Sequence, residues 1–352
     1  MSLSGSFSQA TATPTEVGFY WGTSSDPSSY KVVNTTSSQY TLNLTGLKAN
    51  TKYYYCAYVK VAGTGEYAGE QKIIKGAEKS FTTPSESVDN PVAPAVNKGW
   101  LELPAAGGDS DDYVGTYYDG KNRNYTHLYD KSTFASLWTA YPLYKSTTGG
   151  SRSESWAANP NLDASEQINI WSGSYGVNYG STIYARGHQI PDADRSNNST
   201  MQKHTYYATN LVPQIQDKFN GGIWMNLEAA IRNEIPASDT LYVVTGVTFK
   251  TVGGTETVNY IKPQHDSKKC PVPNYFYKVL LKVKRSSSGV VTSASAVGFW
   301  FEHKQYSDSY TNYAVSVDQI EQWTGFDFFV NLPDSVETTA EKNANWSTFQ
   351  NF

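Results

Sequence analysis

The sequence predicts an α+β chain: an all-β sandwich, then a short linker, then a larger unit in which a mixed sheet carries at least one clear helix. Three observations predict it. Residues 1–84 are a series of short runs rich in β-branched and aromatic residues, broken by turn signals such as SSDPSS and GTGE. Residues 83–97, TPSESVDNPVAPAVN, carry Pro84, Pro91 and Pro94 and cannot hold a regular element. Beyond Gly99 the β-rich runs return, but residues 219–233, FNGGIWMNLEAAIRN, place Ile223, Trp224, Leu227, Ala230 and Ile231 on one helical face ahead of Pro236. The expected organisation is a sandwich over 1–84, a Pro-rich linker over 85–98 and a second domain over 99–352.

In the first unit the expected strands are TEVGFYWGT (15–23), YKVVNTT (30–36), QYTLNLTGL (39–47) and TKYYYCAYVKV (51–61). Tyr53, Tyr55, Ala57 and Val59 alternate with Tyr54, Cys56 and Tyr58, so one set can face a core. In the second unit the strands are YTHLYD (125–130), TLYVVTGVTF (240–249), YFYKVLLKVK (275–284) and SAVGFWFEH (295–303). No internal repeat is present.

Charged residues make up 17% and aromatics 14% of the 352 residues, a composition typical of β-rich extracellular proteins rather than disordered ones. The net charge of −4 argues weakly against a phosphate polymer as partner. Charge is patchy, however. Residues 262–285 hold Lys262, Lys268, Lys269, Lys278, Lys282, Lys284 and Arg285 against Asp266 alone. The stretch reads equally as a solvated strand edge or as a phosphate-facing patch. Two cysteines, Cys56 and Cys270, exclude a disulfide framework and a cysteine zinc site. No segment reaches the length of a membrane span, and the start, MSLSGSFSQATATP, shows no signal peptide.

Three polar segments stand out in the second unit: Ala185-Arg186-Gly187-His188, Thr209-Asn210-Leu211-Val212-Pro213-Gln214, and Asn220 to Glu228. A histidine beside an arginine and a glycine suits a general base next to a phosphate clamp. Asn220, Trp224, Glu228 and Arg232 follow each other at i, i+4, which puts an amide oxygen and a carboxylate on one flank of the expected helix. Such a pair can hold a hydrated hard cation.

Together these segments resemble the core of the DNA/RNA non-specific endonuclease family, the ββα-metal nucleases. That family carries Asp-Arg-Gly-His, a Thr-Asn-x-x-Pro-Gln segment, and Asn-x-Gly-x-Trp-x-x-Leu-Glu followed by Arg one turn later. The resemblance extends over roughly residues 100–350. It implies His188 as the base that deprotonates water, Asn220 as the direct magnesium ligand, and Glu228 as the acid that holds metal-bound water. It also implies Asn210 as an amide orienting the site, with Arg186 and Arg232 steadying phosphate charge. Arg152, in GGSRSESW, is a looser equivalent of an upstream phosphate-binding arginine, and Lys268 and Lys269 are further substrate-binding candidates. Ala185 stands where the family has Asp, which puts rate or pH optimum in doubt. The implied cofactor is Mg²⁺, with Mn²⁺ as substitute. The implied substrates are DNA and RNA, cut to 5′-phosphate ends with little sequence preference.

Leu47-Lys-Ala49-Asn-Thr51-Lys-Tyr53 resembles the E–F corner of fibronectin type III domains, with Ala49 in place of Pro, and KSFTTP (79–84) looks like their last strand. The first strand looks short, as if the sequence starts inside the module. The module reads as a spacer or as a unit that contacts a cell-surface partner. The expected location is secreted or at the envelope or surface of a bacterium, with the export signal outside this sequence, and the oligomeric state stays open between monomer and homodimer. Two other functions compete: a lapsed nuclease domain in a surface-binding or adhesion protein, and a phosphodiesterase on small substrates.

Overall fold

The computed structural model describes residues 2–8, 14–33, 35, 37–44, 47, 51–62, 71–82, 100–105, 109, 111–178, 182–250, 252 and 257–352. The chain divides into two compact units, Met1–Asp89 and Asn90–Phe352. The Pro-rich stretch 85–98 lies outside the described residues, as do Lys48, Ala49 and Asn50 of the expected corner.

Among the described residues the first unit has seven strands: β1 (Ser2–Ser6), β2 (Pro14–Gly22), β3 (Tyr30–Val33), β4 (Gln39–Asn43), β5 (Lys52–Ala62), β6 (Gln71–Lys75) and β7 (Lys79–Thr82). β1 pairs with β4, and a second sheet runs β3-β2-β5-β6, with β7 on the other end of β5. Leu3, Val17, Phe19, Tyr40 and Leu44 fill the core, with Tyr55, Ala57 and Val59 of β5 packed against it. The alternate β5 residues do not simply face water. Tyr58 is buried beneath the rings of Tyr20 and Tyr30, at centroid distances of 5.0 and 6.0 Å.

The second unit is built on β8 (Tyr113–Asp119), β9 (Asn122–Asp130), β10 (Ala135–Leu143), β11 (Gly176–Asn178), β12 (Thr182–His188), β13 (Leu211–Ile215), β14 (Leu241–Thr248), β15 (Tyr260–Ile261), β16 (Cys270–Pro271), β17 (Tyr275–Arg285), β18 (Val291–Glu302) and β19 (Ala314–Val315). Its helices are α1 (Ser199–Thr205), α2 (Met225–Asn233), α3 (Val317–Thr324), α4 (Asp334–Ala340) and α5 (Trp346–Gln350). The main sheet runs β19-β18-β17-β14-β10-β9-β8. The expected mixed sheet is corrected: every named pair in it is antiparallel. Tight connections such as those joining β8, β9 and β10 need no crossover, and a parallel pair would.

Both faces of this sheet are covered, which is why β14 is buried along its whole length. On one face Tyr141, Leu241, Val243, Phe276, Leu280 and Phe299 meet Trp224, Leu227 and Ile231 of the α2 region. On the other, Val244, Tyr277, Val279, Leu281 and Trp300 meet Val317 and Ile320 of α3, Phe328 and Ala340. A separate three-stranded sheet, β11-β12-β13, lies beside residues 216–224 ahead of α2; β12 carries Ala185 to His188 and β13 carries Leu211 to Gln214.

The expected helix over 219–233 is also corrected. The helix proper begins at Met225, and residues 216–224 form an irregular turn. Lys218 takes a left-handed φ of 60°, and Gly221 and Gly222 leave helical geometry altogether. Paired glycines carry the largest entropic cost of ordinary residues in a helix, so the apolar rhythm that begins before them does not hold the backbone there.

Candidate active site

β12 and β13 pair antiparallel, with Arg186 opposite Pro213, Gly187 opposite Val212 and His188 opposite Leu211. Arg186 and His188 are two residues apart and so leave the strand on one side, while Ala185 and Gly187 leave it on the other. Gln214 lies across Gly187 on that second side. A Cβ at Gly187 would meet the Gln214 side chain at 2.3 Å, so the glycine is what lets the two strands close here.

A cleft of about 500 Å³ opens on the first side, lined by Arg152, Arg186, His188, Asn220, Glu228 and Arg232 among others. Five elements of sequence spread over some 80 positions thus converge on one concavity. Ala185 does not line it. The departure from the family's aspartate therefore sits behind the cleft wall, in register with Gln214.

His188 is held by aromatic rings. The Tyr206 ring meets it edge-on at 5.1 Å and Trp156 lies at 5.5 Å. Its ring bonds to the Arg186 backbone, while Nε2 is buried with no hydrogen-bond partner. Burial, then the positive charge of Arg152, pushes its pKa down to about 3, which keeps the imidazole neutral at neutral pH. Arg186 is stacked over Trp156 at 3.5 Å and donates to the Ile170 carbonyl at 3.2 Å, so its guanidinium is fixed in orientation. Arg152 is more exposed and lies 3.8 Å from Glu154.

Asn220 sits on the irregular turn rather than in a helix, and its amide nitrogen donates to Gln216 Oε1 at 3.1 Å. That bond orients the side chain and leaves Oδ1 as the outward acceptor. Glu228, one turn into α2, is half-buried. Burial pushes its carboxyl up, and the buried Lys278 beneath it opposes the shift. Lys278 in turn lies 4.5 Å from the Trp224 ring centre and bonds to Thr245 Oγ1 at 3.1 Å. Arg232 pairs not with Glu228 but with Asp194, at 3.0 Å, and Asp194 also accepts from the Tyr141 hydroxyl at 2.8 Å.

Three expected site residues lie elsewhere. Asn210 is fully buried outside the cleft. Its Oδ1 accepts from Ile190 N–H, and its Nδ2 donates to the carbonyls of Ile190 and Thr205, at 3.1, 3.1 and 2.8 Å. It ties down the chain just after His188 rather than facing substrate. Lys268 is drawn onto Asp266 at 3.1 Å and onto the carbonyls of Ala164 and Gln167, which consume its donors. Lys269 is exposed but does not line the cleft. The basic stretch 262–285 is not one patch, since Lys278 and Lys282 are buried and Lys282 pairs with Glu234 at 2.8 Å.

Sequence reading missed Asp192, Asp194, Trp156, Tyr206 and Lys278. Asp192 gathers Tyr206 and Gln202, at 2.8 and 2.9 Å, behind the histidine. The acids had a signal: PDADR follows the RGHQI segment directly, in a chain sparing with charge. Lys278 had none, because a lysine in a strand reads as solvated.

The donors at the cleft suit a hard divalent cation. An amide oxygen and a carboxylate, both oxygens, converge with arginines that can take phosphate, and neither cysteine lies there. No helix among the described residues is long and apolar enough to cross a membrane.

Residues 112–335, which contain the whole cleft, match the family described as DNA/RNA non-specific endonuclease. Similar proteins include a nuclease of Nostoc, 28% identical, with 63% of this chain and 76% of that one covered. A nuclease of Serratia marcescens is 27% identical, over 61% and 76%. The human mitochondrial nuclease EXOG is 26% identical, over 78% and 71%. Against curated relatives the chain spans from half to about three quarters of their length, 66% for the mitochondrial nuclease 1 of Schizosaccharomyces pombe. A crystal structure of the EndoG/EndoGI complex shares the fold, with a TM-score of 0.52 at 20% identity over 69% of this chain and 96% of that one.

Proposed function

Because the chain belongs to the DNA/RNA non-specific endonuclease family, and is thus a nuclease and phosphodiester hydrolase, we propose that it is a magnesium-dependent endonuclease cutting both DNA and RNA. In this reading His188 is the general base and the products carry 5′-phosphate ends. The observation that carries the reading is the unpartnered Nε2 of a neutral His188 at a cleft that also holds Asn220, Glu228 and three arginines.

The family is typically metal-dependent, and Asn220 Oδ1 and Glu228 would hold the ion. A hard dication there supplies charge stabilisation at the phosphate oxygens. Arg186, locked over Trp156, binds a non-bridging oxygen without losing freedom on binding. Arg232, braced by Asp194, keeps its orientation while offsetting charge. His188 Nε2 takes the proton of the attacking water. An anionic phosphate in the cleft raises the pKa of that nitrogen from its low resting value toward the working range. Contacts made to phosphate rather than to base edges give low sequence preference.

Incubation with supercoiled plasmid and with RNA, in magnesium and in EDTA, beside His188→Ala, tests this. Magnesium-dependent cutting of both polymers, lowered roughly 10²–10⁴-fold in the variant, is expected. Cutting of small diesters alone, or equal cutting by the variant, would overturn it.

For the first unit the reading is a fibronectin type III-like spacer. The strand order β3-β2-β5-β6 opposite β1-β4, and the buried Tyr53 at the start of β5, support it.

A further inference from the structure

On the sheet face opposite α2, two acids of α3, Asp318 and Glu321, meet Glu341, which follows α4 directly. One carboxylate oxygen from each lies within 4.8 Å of the others. Glu341 is 5% exposed, and its Oε1 is buried with no hydrogen-bond partner. Among the described residues no lysine or arginine forms a salt bridge with any of the three. Further acids, Glu337 and Asp327, crowd the same place. Burial, then Glu321, Glu337, Asp318 and Asp327, pushes Glu341 up to about 9. Burial and its acidic neighbours push Glu321 to about 7. The Glu321 carboxylate is held in place, and the backbones of Val317 and Glu341 are tied together. Glu321 Oε1 accepts the Phe328 N–H at 2.7 Å, and the Glu341 carbonyl accepts the Val317 N–H at 2.9 Å.

A fold that holds three acids together, one of them buried with an idle oxygen, penalises their ionised forms, and a bound cation would offset that penalty. We propose that Asp318, Glu321 and Glu341 form a second cation site, separate from the catalytic cleft, that takes Ca²⁺ and clamps α3 to the end of α4. The donors are all oxygen, which excludes a thiolate- or imidazole-seeking metal. Ligand number and rigidity decide between the hard cations. Calcium takes about six to eight oxygens in irregular spheres, so three carboxylates gathered within 4.8 Å of one another suit it. Magnesium demands near-ideal octahedral geometry and usually keeps several waters beside one or two carboxylates, so a site of three carboxylates suits it less.

The test uses the full chain carrying Asn220→Ala, which removes the expected ligand of the catalytic ion, stripped with EDTA and then titrated with Ca²⁺ alone. Melting of the larger unit is followed by calorimetry. A rise of about 5–10 °C is expected at about a hundredfold excess of Ca²⁺ over its Kd. In Asp318→Asn/Glu321→Gln on the same background the rise should vanish. That variant should also melt no lower than its parent in EDTA, because amides relieve the repulsion while keeping the Glu321-to-Phe328 acceptor. No Ca²⁺ response in the parent would overturn the proposal, and so would an undiminished response in the variant.

Discussion

Asn210→Ala separates a latch from a catalytic amide. The side chain makes three hydrogen bonds, to Ile190 N–H and to the carbonyls of Ile190 and Thr205, and is fully buried. Each such bond is worth about 1 kcal/mol net, so the variant loses about 3 kcal/mol before any cost of the stranded backbone groups. In a unit of this size that lowers the melting temperature by about 6–12 °C. Ile190 is two residues beyond His188, so a loosened segment also lets the base drift from its place between Tyr206 and Trp156. A misplacement of about 1 Å is enough to cost on the order of 10²-fold in rate. Calorimetry and plasmid-cutting rates well below the melting point measure both effects. Full thermal stability with lost activity would refute the latch and return Asn210 to the chemistry. Lost stability with full activity would show that the latch does not set the position of His188.

Other outcomes follow from the same contacts. Arg232→Leu strips Asp194 of its partner in a nearly buried place and should cost about 3–5 kcal/mol, read by denaturant melts, along with a fall in cutting rate. Gly187→Ala forces a Cβ onto the Gln214 side chain and should cost about 1–3 kcal/mol; an unchanged melt would mean that Gln214 moves aside freely. His127 is wholly buried and its pKa is pushed down to about 3 by burial. Its folded pKa thus lies below its unfolded one, so its contribution is complete above about pH 6.5 and is lost as pH falls from there toward 3. His127→Gln should therefore flatten the acid limb of the stability profile by up to about 1.4 kcal/mol per pH unit.

Much of the fold was legible because its signals are local. The apolar runs of β14, β17 and β18 need only the residues themselves to be read, whereas β5 buries residues of both alternating sets. The start of α2 was misplaced because Ile223 and Trp224 keep the helical rhythm while Gly221 and Gly222 break the backbone beneath it. For the cleft, His188, Arg186, Asn220, Glu228 and Arg232 were readable as motif residues, and the structure gathers them. What holds them was not readable. Asp194 under Arg232, Trp156 under Arg186 and Lys278 beneath Glu228 come from distant segments, and only the folded chain brings them into contact. Lys268 misled for the same reason, its charge being taken up by Asp266 and two carbonyls that its immediate neighbours do not announce.

The central claim is that His188 and Asn220 do different work in one cleft. Cutting rates of the parent, His188→Ala and Asn220→Ala should be measured on plasmid across a Mg²⁺ titration. His188→Ala should lose maximal rate with its Mg²⁺ half-saturation unmoved, and Asn220→Ala should need far more Mg²⁺ for any given rate. A shifted Mg²⁺ requirement in His188→Ala, or a parent-like titration in Asn220→Ala, would contradict it.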